Sequence, residues 1–279
     1  MLNHMFKAAF FAVLFAVPGD YEKQIAQWRQ NYDTKLKAPA GYLAVAGLWW
    51  LKPGEQRAGS DAALAIVLPK RAPQQFGMFN LSGDIVTFTP SGGQPRALRT
   101  DKAAEGPEIL KLDDMELFII QRNERFGLRL RDPQSEMRRA FQGTRWYAPL
   151  PAWKIQARFI AYPKPKIVLI SDVTGNKQKM EAPGMVEFKI NGRTYRLEPT
   201  VDDEELFYVF KDKTAGHGTY GSGRFLHSAM PKDGKVELDF NKAYNPPCAF
   251  TPYATCPLPL KKNFIDVAIP VGEQVPPGH

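Results

Sequence analysis

The chain of 279 residues is short of cysteine, histidine and long apolar runs. It has two cysteines and four histidines, and no uninterrupted apolar stretch exceeds ten residues. A membrane-spanning helix needs about 20 apolar residues, so a multi-span membrane protein is excluded. The histidines show no metal-ligand spacing with the cysteines, and we expect neither a metal site nor a cofactor. With 44% hydrophobic and 24% charged residues, the composition also excludes a disordered or collagen-like chain.

Proline, glycine and aromatic residues are abundant instead, with 24 prolines, 22 glycines and 12% aromatics. This mixture breaks long helices and favours short strands joined by tight turns. At about 100 to 200 residues per domain, the length fits one large domain or two small ones. We therefore predict a mainly β fold, in which an N-terminal amphipathic helix precedes one or two antiparallel β-sandwich or barrel-like units with long Gly/Pro-rich loops.

The N-terminus has the pattern of a secretory signal peptide. Lys7 precedes ten apolar residues at 8–17, and Pro18 and Gly19 follow, which matches the basic, apolar and small-residue regions of such a signal. We predict a signal peptide over 1–19, no transmembrane segment after its removal, and a periplasmic or secreted protein. A buried helix is the alternative for the same segment.

Helical spacing follows over 20–38, where Asp20 can cap the helix. Beyond it, we predict a first β unit over 39–105 and a second over 106–279. Asn191 and Gly192 favour a type I′ hairpin turn, and a helical turn is predicted over 134–141. The predicted strands are 42–51, 64–68, 78–81, 85–89, 115–122, 126–131, 154–162, 166–172, 206–210, 236–240 and 264–269.

The net charge of +8 is concentrated in one stretch. Residues 122–145 contain seven arginines and three acidic residues, a net charge of +4. In the predicted strand over 126–131, Arg129 and Arg131 lie on the face opposite Leu128 and Leu130. This face favours an anionic partner. No nucleic-acid motif is present, and we expect no nucleic-acid binding.

Residues 212–259 are rich in glycine, proline, asparagine and hydroxyl residues, and candidate chemistry concentrates there. Glycines around Ser222 let a ligand approach the backbone, and Arg224 can hold a carboxylate or phosphate through two hydrogen bonds. Asp239 and Asn241 share one face of a strand end; alternatively, they satisfy buried backbone groups in a long loop. The candidates for ligand binding are Tyr220, Arg224, Asp239, Asn241, Tyr244 and Asn245, and those for catalysis are Asp212, His227 and Asp239.

The two cysteines, Cys248 and Cys256, are separated by seven residues. In an oxidising compartment such a pair forms a disulfide that closes a small loop. Two buried free thiols are the alternative.

Several motifs resemble those of a known family. They are GLWWLKPGE at 47–55, RFGLR at 125–129, KDKT at 211–214 and YNPPC at 244–248. The chain resembles the prokaryotic family catalogued as domain of unknown function 1684, from about Tyr21 to Glu273. Lys211 replaces the arginine usual in that family, and Leu258 replaces a common proline. The resemblance implies a β-rich fold and carries no activity.

A second resemblance concerns 51–69, which is similar to the opening strands of a forkhead-associated β-sandwich. That family binds phosphothreonine through an arginine and a serine in its loops. Ala58, Gly59 and Ser60 stand where the family has Ile-Gly-Arg. The resemblance therefore implies a sandwich fold but not phosphopeptide binding.

These observations predict an exported β-rich module that binds a small molecule, an anionic ligand or an acidic partner. The alternative is a metal-independent hydrolase that uses Asp212 or Asp239 with His227. The sequence has no recognisable nucleophile motif or metal cluster, which favours the binding module.

Overall fold

The computed structural model describes residues 19–277, so the predicted signal peptide lies outside the described residues except for Gly19. The predicted mainly β fold is confirmed. Two α-helices are described, α1 at Asp20–Lys37 and α2 at Glu136–Ala140. The strands are β1 Val45–Trp50, β2 Gly54–Gly59, β3 Ile66–Val67, β4 Gly77–Ser82, β5 Ile85–Pro90, β6 Arg96–Leu98, β7 Leu110–Leu112, β8 Met115–Arg122, β9 Arg125–Arg131, β10 Lys154–Ser171, β11 Lys177–Ile190, β12 Arg193–Leu197, β13 Thr200–Asp202, β14 Glu205–Phe210, β15 Arg224–Ala229 and β16 Lys235–Asp239.

Helix α1 packs against the C-terminal half of the chain, and its apolar spacing explains how. Ile25 and Leu36 are buried, while Trp28 stacks on Tyr32 and meets Trp146 edge to face. The N-cap is Gly19 without a side-chain cap, so the predicted cap at Asp20 is wrong; that carboxylate lies in the first turn, where it suits the helix dipole. Neither described helix is long and apolar enough to cross a membrane.

The first hydrophobic core lies between two antiparallel-rich sheets. One sheet has the order β1-β9-β8-β7 and the other β3-β2-β4-β5-β6. The predicted strands over 115–122 and 126–131 are confirmed, and they pair as a hairpin with Gln121 opposite Phe126. Buried residues of this core run from Leu51 to Leu130, because β9 pairs with β1 and β8 pairs with β9. The first core therefore extends past the predicted division at residue 105.

The second core lies between a β12-β11-β10-β16 sheet and a β13-β14-β15 sheet. The strands predicted separately over 154–162 and 166–172 form the single strand β10, with a register shift between Ala161 and Lys166 that accommodates two prolines. The predicted turn between β11 and β12 is confirmed, since Asn191 and Gly192 both have positive φ, of 49° and 76°.

The C-terminal segment after residue 260 corrects one predicted element. Residues 264–269 form no regular strand, although Ile265 and Ile269 are buried in the second core. Ile265 N donates to Lys211 O at 2.7 Å, and Lys213 N donates to Val267 O at 3.1 Å. The apolar alternation of 264–269 reflects the burial of an irregular segment, which we call the C-terminal strap. Alternation alone does not distinguish such a segment from a buried strand.

Candidate functional site

A cleft is lined by side chains of α1, of β8 and β9, and of β14, β15 and β16. Its larger part has a volume of about 1160 Å³ and continues into a smaller pocket of about 470 Å³. We call the smaller part the inner pocket. The residues that line both parts are Tyr32, Leu36, Tyr42, Val45, Arg129, His227 and Tyr244.

Arg129 is the charged group that both parts of the cleft share. It projects from β9, and only 9% of its surface is exposed. Its Nη2 donates to the carbonyl oxygen of Tyr253 at 3.3 Å, and its Nε has no hydrogen-bond partner. Within residues 19–277, no carboxylate forms an ion pair with it at 4.0 Å or less. Burial, assisted by the nearby charge of Arg122, lowers the pKa of Arg129 to about 10.

The two arginines near Arg129 each have a carboxylate partner. Arg122 donates to Asp101 Oδ2 at 2.6 Å. Arg131 lies over the ring of Phe118 with its Cζ 4.5 Å from the ring centroid, and its Nη1 lies 3.5 Å from Glu116 Oε2. The predicted arginine face of the strand therefore borders the cleft, and Arg129 is its arginine without a carboxylate partner among the described residues.

The inner pocket is otherwise largely apolar and aromatic. Phe207 on β14 and Phe225 on β15 contact each other edge to face, with ring centroids 4.9 Å apart. Tyr244 packs on Phe225 from the C-terminal segment, and Tyr32 and Leu36 approach from α1. An apolar pocket of this size with a few polar groups is the common form of a small-molecule site.

A hydrogen-bonded chain crosses the pocket wall from solvent to the interior. His227 Nδ1 lies 3.1 Å from Glu205 Oε2, and its Nε2 lies 3.3 Å from the hydroxyl oxygen of Tyr244. The edge of the His227 ring meets Phe207 at a centroid distance of 4.8 Å. Burial, together with the neighbouring Tyr42 and acidic residues, raises the pKa of Tyr244. Tyr244 therefore carries its proton at neutral pH.

The structure places Arg224 away from the cleft, in the interior of the second core. It is 1% exposed, and its Nη2 donates to Asp212 Oδ2 at 2.6 Å and to Ile269 O at 3.0 Å. Asp212 also accepts from the backbone N and hydroxyl of Thr214. The buried pair ties β15 to the C-terminal strap. Neither side chain lines either part of the cleft. The ligand-binding role of Arg224 and the catalytic role of Asp212 stay predictions.

Asp239 and Asn241 form a separate buried network that holds α1 to β16. Asp239 Oδ1 accepts from the Tyr21 hydroxyl at 2.9 Å. The side chain of Asn241 accepts from Leu150 N at 2.7 Å and donates to Leu150 O at 2.9 Å. The backbone-satisfying alternative fits Asn241, which is fully buried. Asp239 lines the larger part of the cleft but not the inner pocket.

Of the two remaining candidates, Asn245 lines the inner pocket and Tyr220 does not. The Tyr220 hydroxyl donates to the carbonyl oxygen of Cys248 at 3.2 Å. Asn245 lines the pocket, and its backbone N donates to Glu273 Oε2 at 2.6 Å. Both cysteines are free thiols, and Cys248 N donates to the sulfur of Cys256 at 3.2 Å. The sulfurs are neighbours, and the disulfide stays a prediction.

Of the predicted site residues, the structure thus brings His227, Tyr244 and Asn245 together at the inner pocket. Sequence reasoning did not assign Tyr42, Arg122 or Glu205 to a site. No local sequence pattern marks these three residues as site residues, because each lies on an element whose partner across the cleft is distant in the chain. Among residues 19–277, no group of three or more histidine, cysteine or acidic side chains has an arrangement that could hold a metal ion.

Comparisons with known proteins found one similar solved structure and one similar family. No curated protein matches the sequence. A solution NMR structure of an uncharacterised protein from Haloarcula marismortui is similar at 27% identity and a TM-score of 0.43, over 51% of this chain and 81% of that one. The sequence model of the family described as "Protein of unknown function (DUF1684)" matches residues 139–274. This range includes His227 and Tyr244 but not Arg129. The similarity to this family therefore concerns residues 139–274.

Proposed function

We propose that this is an exported protein whose inner pocket binds a small organic anion with an apolar or aromatic body. The observation that carries the proposal is Arg129, a buried guanidinium at the cleft without a carboxylate partner in the described chain. A buried charge is costly unless it is paired. A carboxylate, sulfonate or phosphate that accepts from the guanidinium of Arg129 would supply the missing partner.

The residues around Arg129 in the inner pocket favour a ligand with an apolar body beside its anionic group. Phe207, Phe225, Tyr244 and Leu36 offer apolar contact on several sides of the inner pocket. A volume of about 470 Å³ fits a molecule of drug size rather than a bare inorganic ion. We therefore expect an apolar body to add affinity beyond that of the anionic group alone.

Calorimetric titration with 2-naphthalenesulfonate tests the proposal, because this probe combines an aromatic body with a permanent negative charge. Arg129→Gln should weaken its binding about 10- to 100-fold, as expected for a hydrogen bond to a charged group. Arg158→Gln is the matched control, since Arg158 is an exposed partner of Glu187 on β10 and does not line the cleft. Absence of binding to the wild-type protein, or equal affinity of the wild type and Arg129→Gln, would contradict the proposal.

Export rests on the pattern of residues 1–19 and is tested separately. The full chain with a C-terminal tag should appear in the periplasmic or extracellular fraction, and its intact mass should correspond to a start near Asp20. A cytoplasmic protein that retains residues 1–19 would contradict export.

A metal-independent hydrolase is the second candidate, and one observation favours it. His227 lies between a carboxylate and the Tyr244 hydroxyl, as a general base would. Asp212 and Asp239 are engaged in internal networks, so neither would be its acidic partner. Hydrolysis of p-nitrophenyl butyrate that His227→Gln abolishes would support this candidate, and a wild-type rate equal to that of buffer would remove it.

A further inference from the structure

The Glu205–His227–Tyr244 chain links the inner pocket to solvent. The Glu205 side chain is 52% exposed and that of His227 30% exposed, whereas Tyr244 is half-buried and lines the pocket. Each link of the chain is within hydrogen-bond distance, at 3.1 Å and 3.3 Å. A proton that His227 takes up from solvent can therefore change how the Tyr244 hydroxyl is used inside the pocket.

The direction of the hydrogen bonds follows from the protonation state of His227. In neutral His227, the carboxylate of Glu205 favours a proton on Nδ1, so Nε2 accepts the proton of Tyr244. The hydroxyl then presents only lone pairs to the pocket, which repel an anion. In charged His227, Nε2 donates to the Tyr244 oxygen, and the hydroxyl proton is free to donate to an anion.

Other charged groups around the chain act in known directions. Arg129 favours the anion and disfavours the imidazolium, whereas Glu205 and Asp202 favour the imidazolium and disfavour the anion. Arg129, Tyr42, His227 and Tyr244 all line the inner pocket. The further charged groups that line the larger part of the cleft are Lys35, Asp101, Arg131, Lys232, Asp233, Lys235, Glu237, Asp239 and Lys242. Those that line the inner pocket are Lys102 and Arg122.

We propose that the inner pocket takes up its anion together with a proton on the Glu205–His227–Tyr244 chain, and that it releases the anion as pH rises. The inference rests on the proposed function, because it concerns the same pocket. The negative charge of a bound anion favours the charged imidazole, so binding is accompanied by proton uptake. Because binding consumes a proton, the affinity for the anion falls as pH increases. Uptake of one full proton corresponds to a tenfold change in affinity per pH unit.

Titration calorimetry with 2-naphthalenesulfonate between pH 5.5 and pH 8.5 tests the inference, since this probe stays anionic throughout. We expect affinity to fall about tenfold over this range. Repeating the titration at one pH in buffers of different ionisation enthalpy should show net proton uptake on binding. His227→Gln removes the titrating group, and Tyr244→Phe removes its link to the pocket, so both should abolish the proton uptake. His217→Gln is the matched control, because His217 is exposed and lines neither part of the cleft.

The outcomes separate the two proposals. Failure of the probe to bind at any pH contradicts the binding function itself. Binding that depends on Arg129 but not on pH, with no proton uptake, leaves the binding function standing and overturns the proton coupling. Proton uptake that persists in His227→Gln also overturns it, because another group would then carry the proton.

Discussion

Asp212 Oδ2 and Arg224 Nη2 lie 2.6 Å apart in the interior of the second core, with side-chain exposures of only 2% and 1%. The contrast with Arg129 is informative. Both arginines are buried, but Arg224 has a carboxylate and two backbone carbonyls as partners, whereas Arg129 has one long hydrogen bond to a carbonyl. The paired arginine therefore holds the fold together, and the unpaired one is suited to a ligand.

Arg224→Met should destabilise the protein strongly, because it leaves the carboxylate of Asp212 buried without its cation. Loss of one partner from a buried ion pair costs about 3 to 5 kcal/mol. Urea unfolding followed by circular dichroism measures the free energy of unfolding. Arg158→Met removes an exposed partner of Glu187 and should cost less than about 1 kcal/mol. If Arg224→Met kept the stability of the wild type but lost anion binding, Arg224 would be a ligand-binding residue, as the sequence predicted.

Arg129→Met should have the opposite effect on the ligand-free protein. Methionine keeps the apolar stem but removes a desolvated charge that has little compensation in the described chain. We expect the free energy of unfolding to rise by about 1 kcal/mol. The same urea unfolding experiment, performed without ligand, checks it. A large loss of stability would show that Arg129 is a structural residue after all.

Glu273 should make the stability of the protein pH-dependent. Burial raises its pKa to about 8, partly opposed by the hydrogen bond from Asn245 N. The usual glutamate pKa in unfolded chains is about 4.3, so over the interval between these values the folded state holds a proton that the unfolded state has lost. The contribution of Glu273 to the free energy of unfolding is then fully present below the unfolded-state pKa. It falls by roughly 1.4 kcal/mol per pH unit as pH rises towards the folded-state pKa.

Glu273→Gln isolates this contribution, because glutamine imitates the protonated acid. Urea unfolding of both proteins between pH 5 and pH 9 should show a steeper loss of stability for the wild type. The difference should stop growing above about pH 8. Parallel pH profiles would mean that Glu273 titrates normally.

The two cysteines provide a test of the oxidised state. Because Cys248 N already donates to the sulfur of Cys256, pairing should need little backbone movement. Thiol titration of the denatured, unreduced protein from an oxidising compartment should therefore find no free thiol. Closing so short a loop should stabilise the protein by about 2 to 3 kcal/mol, which the Cys248→Ser/Cys256→Ser variant measures. Two titratable thiols would contradict the pairing.

Local signals predicted the local structure well. The alternation in 115–131 and the Asn191-Gly192 pair indicated their hairpins, because side-chain period and positive φ are properties of neighbouring residues. The strand β15 follows a Gly-rich segment and was not predicted. The strap over 264–269 was predicted as a strand, but it is irregular. In both cases the partner across the sheet or core decided the conformation.

For the candidate site, the sequence by itself determined which chemical groups were available and where positive charge concentrates. Arg129 and Arg131 followed from strand alternation, and His227 and Tyr244 from the composition of their segment. Tertiary structure alone decided that Arg224 meets Asp212 and that Arg129 meets no carboxylate in the described chain. Ion pairing depends on distances of a few ångströms between elements far apart in the chain, and composition and periodicity contain no information on those distances.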